Sequence, residues 1–427
     1  MKITGIIAEY NPFHNGHEYH LQQTRERLKS DYIVVVMSGN YVQRGAPTIV
    51  DKYSRAEMAL KAGADLVLEL PTCFATASAE YFAYGGVAIL DKLHIVDDLC
   101  FGTESLDSVD VSGGNEGIKV AVQNITGQFG KIADLLVDEP EEFKNILRAG
   151  LKEGLSHAAA RSKAVGEILG EEYVTVMETS NNILGVEYMK ALRKLESKIQ
   201  PAPIARRLNA HNDMTIMEGF SSATAIRNAI YNKYDMNALS STIPQYSLDI
   251  LMDRYLDSFP IFRDDFSLIL GSELLKAKET TDLTKYFGIS EDLANRILNL
   301  KNDFQTFIQF REDLATKSIT SATVSRALMH IVLGITDEDM RQLYDADAIK
   351  HVQVLGFRKD SEEIFGEIKR NSDIQLVSKL ADVMRGGGQK DKMLLQNVNA
   401  DEMYRMVAMN KYKSNLKNPY TQEIVIV

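Results

Sequence analysis

Four short apolar runs in the first 101 residues, each separated from the next by a segment with helical spacing, constrain the fold more than any other feature of this sequence. Runs that are apolar at nearly every position are typical of strands buried on both faces of a sheet. Because strands spaced by helices build βαβ units, we predict an α/β fold with a Rossmann-like parallel sheet. The predicted strands are Lys2–Glu9, Tyr32–Met37, Asp65–Leu70 and Asp98–Phe101, and the predicted helices are Gly16–Lys29, Lys52–Ala62 and Ala77–Lys92.

The pattern changes further along the chain. Helical spacing predicts an inserted helical segment over about residues 115–170, then a helix at Asn182–Ser197 and a last strand at Pro201–Leu208. From about Tyr231 helical spacing dominates, for example in Glu291–Leu300 and Ser321–Leu333, with a short mixed stretch after residue 351. We therefore predict an α/β domain over residues 1–230 and a mainly α-helical C-terminal region over residues 231–427.

Charge and composition argue against several classes of protein. The formal net charge of −11 argues against a surface coated with phosphate-binding groups, but RNA binding depends on where Lys and Arg cluster. No apolar run approaches the ~18 residues that a membrane span needs, and the amino terminus lacks an export-signal pattern. Cys73 and Cys100 cannot build a disulfide framework. We expect a cytoplasmic protein that does not bind membranes.

The segment Glu-Tyr-Asn-Pro-Phe-His-Asn-Gly-His, residues 9–17, joins the first predicted strand to the first predicted helix. A helix start offers free amide N–H groups and the positive end of its dipole to a phosphate, and Gly16 permits close approach of a ligand. His14 and His17 can donate hydrogen bonds to charge that develops on a triphosphate. An isolated histidine would more simply be a satisfied polar group, but HxGH spacing at a strand–helix junction predicts nucleotide binding.

Three basic side chains follow the second predicted strand, near the edge where parallel sheets bind ligands. Arg44 is suited either to an anionic ligand or to a solvated surface. Lys52 and Arg55 stand one turn apart on the next predicted helix. They could offer positive charge to a phosphate, although a solvated helix face is the simpler interpretation.

Two later segments supply candidate ligands at the same edge of the sheet. Gly102 ends the fourth predicted strand, where it either lets adenine or ribose lie against the backbone or forms an ordinary turn. Asn181 precedes a predicted helix and also suits an N-cap. Arg206 and Arg207 end the last predicted strand.

A hydroxyl-rich helix start contains Ser222, Thr224 and Arg227. Its hydroxyl groups can donate to β- and γ-phosphates while the guanidinium neutralises them. A simple N-cap would explain the segment alone, but with HxGH upstream phosphate binding is favoured. The sequence has no zinc-ligand spacing, serine-hydrolase elbow or Walker A loop.

These motifs resemble the HxGH nucleotidylyltransferase superfamily and, within it, the family of bacterial tRNA(Met) cytidine acetate ligases. The similarity is carried by residues 9–17, Gln-Arg-Gly-Ala-Pro after the second strand, Asp65–Pro71, and the Ser-Ser-Ala-Thr-Ala-Ile-Arg segment. It extends to Val354–Phe357 and Leu376–Leu380, whereas residues 231–351 match weakly. The resemblance implies a Rossmann-like sheet of the HIGH type, with residues 1–230 as the catalytic domain and the helical C-terminal region contacting tRNA.

The resemblance further implies a ligase that activates acetate with ATP as acetyl-adenylate and acetylates N4 of the wobble cytidine in elongator tRNA(Met). ATP would arrive with Mg²⁺, no residue set stands out as a metal site, and no protein partner is evident. His14 and His17 would be catalytic. The implied ATP-binding residues are Ile7, Ala8, Glu9, Tyr10, Asn11, Pro12, Phe13, His14, Asn15, Gly16, His17, Glu18, Tyr19, His20, Gly102, Asn181, Arg206 and Arg207, with Ser222, Thr224 and Arg227 as phosphate ligands.

Two other functions remain open from the sequence: a small-metabolite adenylyl- or cytidylyltransferase, and a non-catalytic tRNA-binding scaffold. The chain also departs from the family in having His211-Asn212-Asp213 where relatives carry an aromatic residue before His-Asp.

RNA binding would need a positive surface. Candidate groups are Lys144, Arg148, Lys152, Arg161 and Lys163 in the insertion, and Lys411, Lys413 and Lys417 near the carboxyl end.

Overall fold

The computed structural model describes residues 1–107, 114–206, 221–344, 346–385 and 391–427. Its strands are β1 (Ile3–Ala8), β2 (Tyr32–Ser38), β3 (Tyr41–Val42), β4 (Ala46–Pro47), β5 (Leu66–Leu70), β6 (Asp98–Thr103), β7 (Gln200–Ala205), β8 (His351–Phe357), β9 (Gln375–Val377) and β10 (Val425–Ile426). The helices before the last third of the chain are α1 (Asn15–Leu28), α2 (Lys52–Lys61), α3 (Thr72–Ala75), α4 (Ala79–Lys92), α5 (Gly114–Asp138), α6 (Glu141–Lys152), α7 (His157–Leu169), α8 (Ser180–Lys194), α9 (Ala223–Tyr231), α10 (Gln245–Arg254) and α11 (Ser267–Lys276). The remaining helices are α12 (Thr280–Thr284), α13 (Glu291–Leu300), α14 (Phe307–Leu314), α15 (Ser321–Leu333), α16 (Asp337–Leu343), α17 (Glu363–Asn371), α18 (Leu380–Arg385) and α19 (Lys392–Tyr412).

The central sheet has the strand order β10-β8-β5-β2-β1-β6-β7, and β9 pairs with β8. The five strands from β5 to β7 are parallel to one another. Read across the sheet, these five strands are the third, second, first, fourth and fifth of the set along the chain. This is the strand order of a Rossmann-like sheet. The predicted fold class is therefore confirmed.

Alternate residues of β2 explain why helices cover both faces of the sheet. Val34 and Val36 lie in one apolar core with α3, α4, α5 and α8, whereas Ile33, Val35 and Met37 lie in a second core with α1, α2, α9 and α10. All five side chains are fully buried. Because successive side chains of a strand point to opposite faces, a strand covered on both sides is apolar at most positions.

The helical region has a core of its own, which contains Leu293, Phe307, Phe310 and Leu328. The helices predicted over residues 291–300 and 321–333 are present with these bounds as α13 and α15. The chain then returns to the sheet, where β8 pairs antiparallel with β5 and β10 pairs with β8. The domain boundary at residue 230 stays a prediction, and the sheet itself includes strands from beyond it.

Several sequence predictions fall outside the described residues: Arg207, the segment His211–Asp213, and residues 386–389 of the glycine-rich loop. Within the described ranges, no helix combines the length and the apolar character that crossing a membrane requires.

Candidate active site

A cavity of about 260 Å³ lies at the carboxyl ends of β1, β6 and β7. This is the edge at which parallel sheets bind ligands. Pro12, Phe13, Asn15 and Glu18 belong to the predicted nucleotide site but do not line this cavity. The predicted residues that do line it are Ile7, Ala8, Glu9, Tyr10, Asn11, His14, Gly16, His17, Tyr19, His20, Gly102, Asn181, Arg206 and Arg227.

The HxGH motif forms the start of α1, with His14 as its N-cap residue. Nδ1 of His14 accepts a hydrogen bond from the Gly16 amide at 3.1 Å, and Nδ1 of His17 accepts one from the His14 amide at 3.3 Å. A neutral imidazole that accepts at Nδ1 carries its proton on Nε2. The two rings stack with their centroids 3.7 Å apart and both line the cavity, so the site holds a pair of imidazole N–H donors.

The surroundings keep both imidazoles uncharged. Burial, followed by the positive charges of Arg206 and Arg227, lowers the pKa of His14 to about 3. Burial, His14 and Arg206 lower the pKa of His17 well below its usual value. Near neutral pH the rings can therefore donate hydrogen bonds to phosphate oxygens without adding to the positive charge of the arginines.

The first amide groups of α1 are already used within the protein. The Asn15 amide donates to the carbonyl of Thr242 at 3.0 Å, and the Gly16 amide donates to His14. The prediction of free amide groups at these positions was wrong, because a linear sequence does not show that residue 242 packs against the helix start. Because these two amides already donate within the protein, we expect side chains to be the main hydrogen-bond donors to a phosphate.

Gly102 makes room for Arg206. A Cβ atom on Gly102 would lie 2.7 Å from Cγ of Arg206, a distance at which one of them has to move. Nη1 of Arg206 lies 3.4 Å from Oε1 of Glu104, and the side-chain amide of Asn181 donates to the same oxygen. Glu104 thus orders two predicted ligands, although nothing in the sequence indicated its role beyond its place after Gly102.

Arg227 joins the start of α9 to the HxGH loop. Its Nη1 donates to the carbonyl of Asn11 at 2.7 Å, and its Nη2 donates to the hydroxyl of Thr224 at 3.0 Å. Ser222 is the N-cap of α9 and accepts a hydrogen bond from the Ala225 amide at 3.1 Å. The cap and the phosphate interpretations are compatible, because Ser222, Thr224 and Arg227 also line a second, adjoining cavity.

Lys52 and Arg55 are fully buried and line neither cavity, so both interpretations of them, phosphate binding and a solvated face, were wrong. Nη1 of Arg55 donates to the carbonyls of Glu9 at 2.7 Å and Ser38 at 2.9 Å. Because these carbonyls lie at the carboxyl ends of β1 and β2, Arg55 fixes the loops that carry the site.

An apolar wall that was not predicted completes the first cavity. It consists of Phe82, Phe101, Leu184 and Tyr188. Such a surface suits a flat base. Phe101 precedes Gly102, and Leu184 lies three residues after Asn181, so both stand next to residues that the sequence did indicate. Phe82 on α4 and Tyr188 on α8 had no distinguishing signal.

Mg²⁺ was expected to accompany ATP. Across the described ranges, no three His, Cys, Asp or Glu side chains are grouped as a metal site. Magnesium that accompanies ATP is usually held by phosphate oxygens and one or two carboxylates, so it does not require such a cluster.

The fold and the HxGH site define a nucleotidyl transferase of the α/β class. The model of the HIGH Nucleotidyl Transferase family matches residues 1–419, and the chain belongs to this family. Within it the chain falls among the tRNA(Met) cytidine acetate ligases, as the sequence resemblance implied. It is 37% identical over 434 aligned positions to the ligase of Acetivibrio thermocellus, covering 100% of both chains. It is 36% identical over 415 positions to that of Caldanaerobacter subterraneus, covering 96% of both.

Two solved structures are similar over the full length of both chains. One is Thermotoga maritima TmcAL bound with alpha-thio ATP, with a TM-score of 0.86 and 30% identity. The other is the apo form of the same protein, with a TM-score of 0.88 and 31% identity. The similarity to a nucleotide-bound structure agrees with ATP as the nucleotide of this family, while the individual ATP-binding residues of this chain stay predictions.

Proposed function

We propose that this chain is an ATP-dependent tRNA(Met) cytidine acetate ligase, the activity named for its relatives. The observation that supports the proposal most is the position of two neutral imidazole donors, His14 and His17, beside Arg206 and Arg227 in one cavity. The substrates are ATP, acetate and elongator tRNA(Met), whose wobble cytidine provides the acceptor amine N4.

The first half-reaction forms acetyl-adenylate. A carboxylate oxygen of acetate attacks the α-phosphorus of ATP, and the bond from that phosphorus to the oxygen bridging to the β-phosphate breaks, which releases pyrophosphate. The Nε2–H groups of His14 and His17 stabilise the charge that develops on the α-phosphoryl oxygens. Ser222, Thr224 and Arg227 hold the departing phosphates.

The second half-reaction acetylates RNA. The N4 amine attacks the carbonyl carbon of the mixed anhydride, the bond from this carbon to the phosphate oxygen breaks, and N4 loses a proton. AMP leaves with its phosphate near Arg206, which Glu104 and Asn181 hold in place. The products are N4-acetylcytidine, AMP and pyrophosphate.

The other two functions differ in their products. A small-metabolite adenylyl- or cytidylyltransferase leaves the nucleotidyl group on its product, whereas the ligase releases AMP. A non-catalytic scaffold binds tRNA without acetate-dependent turnover of ATP. Similarity to the ligases over the whole chain favours the ligase over both.

Incubation with labelled acetate, ATP and bulk tRNA, followed by nucleoside analysis, tests the proposal. We expect the label in N4-acetylcytidine, with one AMP and one pyrophosphate released per acetyl group. Absence of label from the nucleosides, or recovery of the nucleotidyl group of α-labelled ATP on an acceptor, would show that the proposal is wrong.

A further inference from the structure

A second cavity, of about 550 Å³, adjoins the first and shares Glu9, His14, His17 and Arg227 with it. We call it the arginine chamber, because it is lined by Arg44, Arg206, Arg227, Arg263 and Arg311, together with Tyr231 and Phe262. Arg263 and Arg311 come from the helical region that the sequence motifs do not cover. The chamber therefore connects that region with the HxGH site.

Two backbone carbonyls and one side-chain hydroxyl hold Arg263 in place. Its Nε donates to the carbonyl of Gly45 at 3.2 Å and to the hydroxyl of Ser325 at 3.1 Å, and its Nη2 donates to the carbonyl of Arg44 at 3.0 Å. Burial, followed by the charges of Arg311, Arg227 and Arg44, lowers the pKa of Arg263 to about 9. Positive charge is thus concentrated here at a cost in free energy that a bound anion would offset.

Arg311 gives more direct evidence that the chamber binds a ligand. Its Nη2 pairs with Glu312, but its Nε is buried and has no hydrogen-bond partner within the part of the chain that the structure describes. A buried donor without a partner is unfavourable. A phosphate oxygen would satisfy this donor and neutralise the guanidinium together.

Aromatic side chains stand beside these arginines. Tyr231, at the end of α9, is 54% exposed, and its ring meets Phe262 edge-on at 5.1 Å between centroids. Arginines that bind phosphates, combined with aromatic rings on which bases stack, are the usual means of recognising single-stranded RNA.

We propose that the part of the arginine chamber formed by Arg263, Arg311 and Tyr231 binds the single-stranded RNA segment that carries the acceptor amine, with phosphates at the two arginines and a base against the tyrosine. Ser222 and Thr224 lie at the start of α9, whereas Tyr231 is its last residue, so Ser222, Thr224 and Arg227 remain the ligands of the departing phosphates. The proposal rests on the proposed function, since it assigns the place of the RNA in that reaction. Because the chamber joins the first cavity at Glu9 and the two histidines, RNA bound there delivers its amine to the activated acetyl group within the protein.

The basic groups chosen from the sequence are less suited to this role, because most of their cations are paired with carboxylates. Lys163 lies 3.1 Å from Glu153, Arg161 is paired with buried Glu187, Lys411 lies 2.8 Å from Asp265, and Lys417 lies 2.9 Å from Glu423. Arg311 is also paired, with Glu312, but its buried Nε still lacks a hydrogen-bond acceptor within the described residues, and a phosphate would supply one.

Two variants, Arg311→Gln and Tyr231→Ala, separate RNA binding from ATP chemistry. We expect each to raise KM for elongator tRNA(Met) transcript about tenfold, the effect of losing one charged hydrogen bond or one stacked base. Acetate-dependent ATP–pyrophosphate exchange without RNA should stay within about twofold of wild type. Arg311→Lys should recover part of the loss, because the charge is kept.

Matched controls come from surface residues that line neither cavity: Arg341→Gln on α16 and Tyr420→Ala near the carboxyl end. Both should leave tRNA acetylation unchanged. If Arg311→Gln raises KM for ATP in the exchange reaction and leaves KM for tRNA unchanged, Arg311 binds the triphosphate and not RNA, and the proposal is wrong. It is equally wrong if neither constant changes.

Failure of the proposed function would look different. Wild-type protein would then show neither exchange nor acetylation, and filter binding of the same tRNA would still test the chamber. Arg311→Gln should lower the slope of log K against log salt by about 0.7, as expected for one lost phosphate contact to single-stranded RNA. An unchanged slope would overturn the assignment.

Discussion

The ammonium group of Lys52 on α2 donates a hydrogen bond of 2.5 Å to Oδ2 of Asp401 on α19, 349 residues further along the chain. The same group lies 2.8 Å from both carboxylate oxygens of Glu69 at the end of β5, and all three side chains are buried. The two carboxylates raise the pKa of Lys52 despite its burial, which keeps it charged. This cluster attaches the last long helix to the sheet edge that carries the active site.

Replacement of Lys52 by Met should strongly destabilise the protein, since it leaves Glu69 and Asp401 buried side by side without a cation. Breaking a buried pair typically costs about 3–5 kcal/mol. Urea unfolding followed by circular dichroism measures the loss. Lys276→Met is the matched control, because Lys276 pairs with Glu273 on the surface of α11 and such pairs contribute little. Equal losses in the two variants would contradict the role of the buried cluster.

Replacement of His17 by Ala should reduce acetate-dependent ATP–pyrophosphate exchange by about a hundredfold or more, the usual cost of losing a donor to a developing oxyanion. Unfolding by urea should remain cooperative. His94→Asn serves as control, because His94 is exposed and lies in a left-handed backbone conformation that Asn tolerates. Near-normal exchange in His17→Ala would remove this residue from the mechanism.

Gly102→Ala should raise KM for ATP about tenfold, because the added methyl group displaces the Arg206 side chain, whose Cγ would lie only 2.7 Å from the new Cβ atom. KM is obtained from the exchange reaction at varied ATP. The control is Gly117→Ala on α5, where the new Cβ would meet nothing within 4 Å. An unchanged KM in Gly102→Ala would indicate that Arg206 does not contact the nucleotide.

Acidification should lower the free energy of unfolding. Burial and Arg206 lower the pKa of His20 to about 4, below its ordinary value of 6.5. Between these values the unfolded chain binds the proton and the folded chain does not, so stability is lost as pH falls below 6.5. At pH 5 this amounts to about 2 kcal/mol for one such histidine.

Urea unfolding of wild type and His20→Gln at pH 7 and pH 5 checks this prediction. The variant should lose less stability over this interval than wild type does, because it no longer carries one of the groups that titrate. His14 and His17, with pKa values lowered in the same direction, should maintain the remaining pH dependence. Identical pH dependence in the two proteins would show that His20 is not buried in its neutral form.

Much of the fold could be predicted because its cause lies in consecutive residues. The run from Ile33 to Met37 in β2 is apolar at every position because helices cover both faces of the sheet. The helical spacing of α13 and α15 is visible within 10 and 13 residues. The geometry of the HxGH motif also depends on neighbouring residues, because the Gly16 amide donates a hydrogen bond to the ring of His14, two positions earlier.

The sequence alone thus determined the parallel sheet, its helices and the paired histidines at the first strand–helix junction. The reason is that the periodicity of apolar residues and local hydrogen bonding are properties of neighbouring residues. Only the tertiary structure decided that Lys52 and Arg55 are buried and that the carbonyl of Thr242 accepts a hydrogen bond from the amide of Asn15. It also decided that Arg263 and Arg311 lie beside the HxGH site. These outcomes depend on contacts between segments far apart in the chain, and the charge of a side chain does not reveal which distant segment will pack against it.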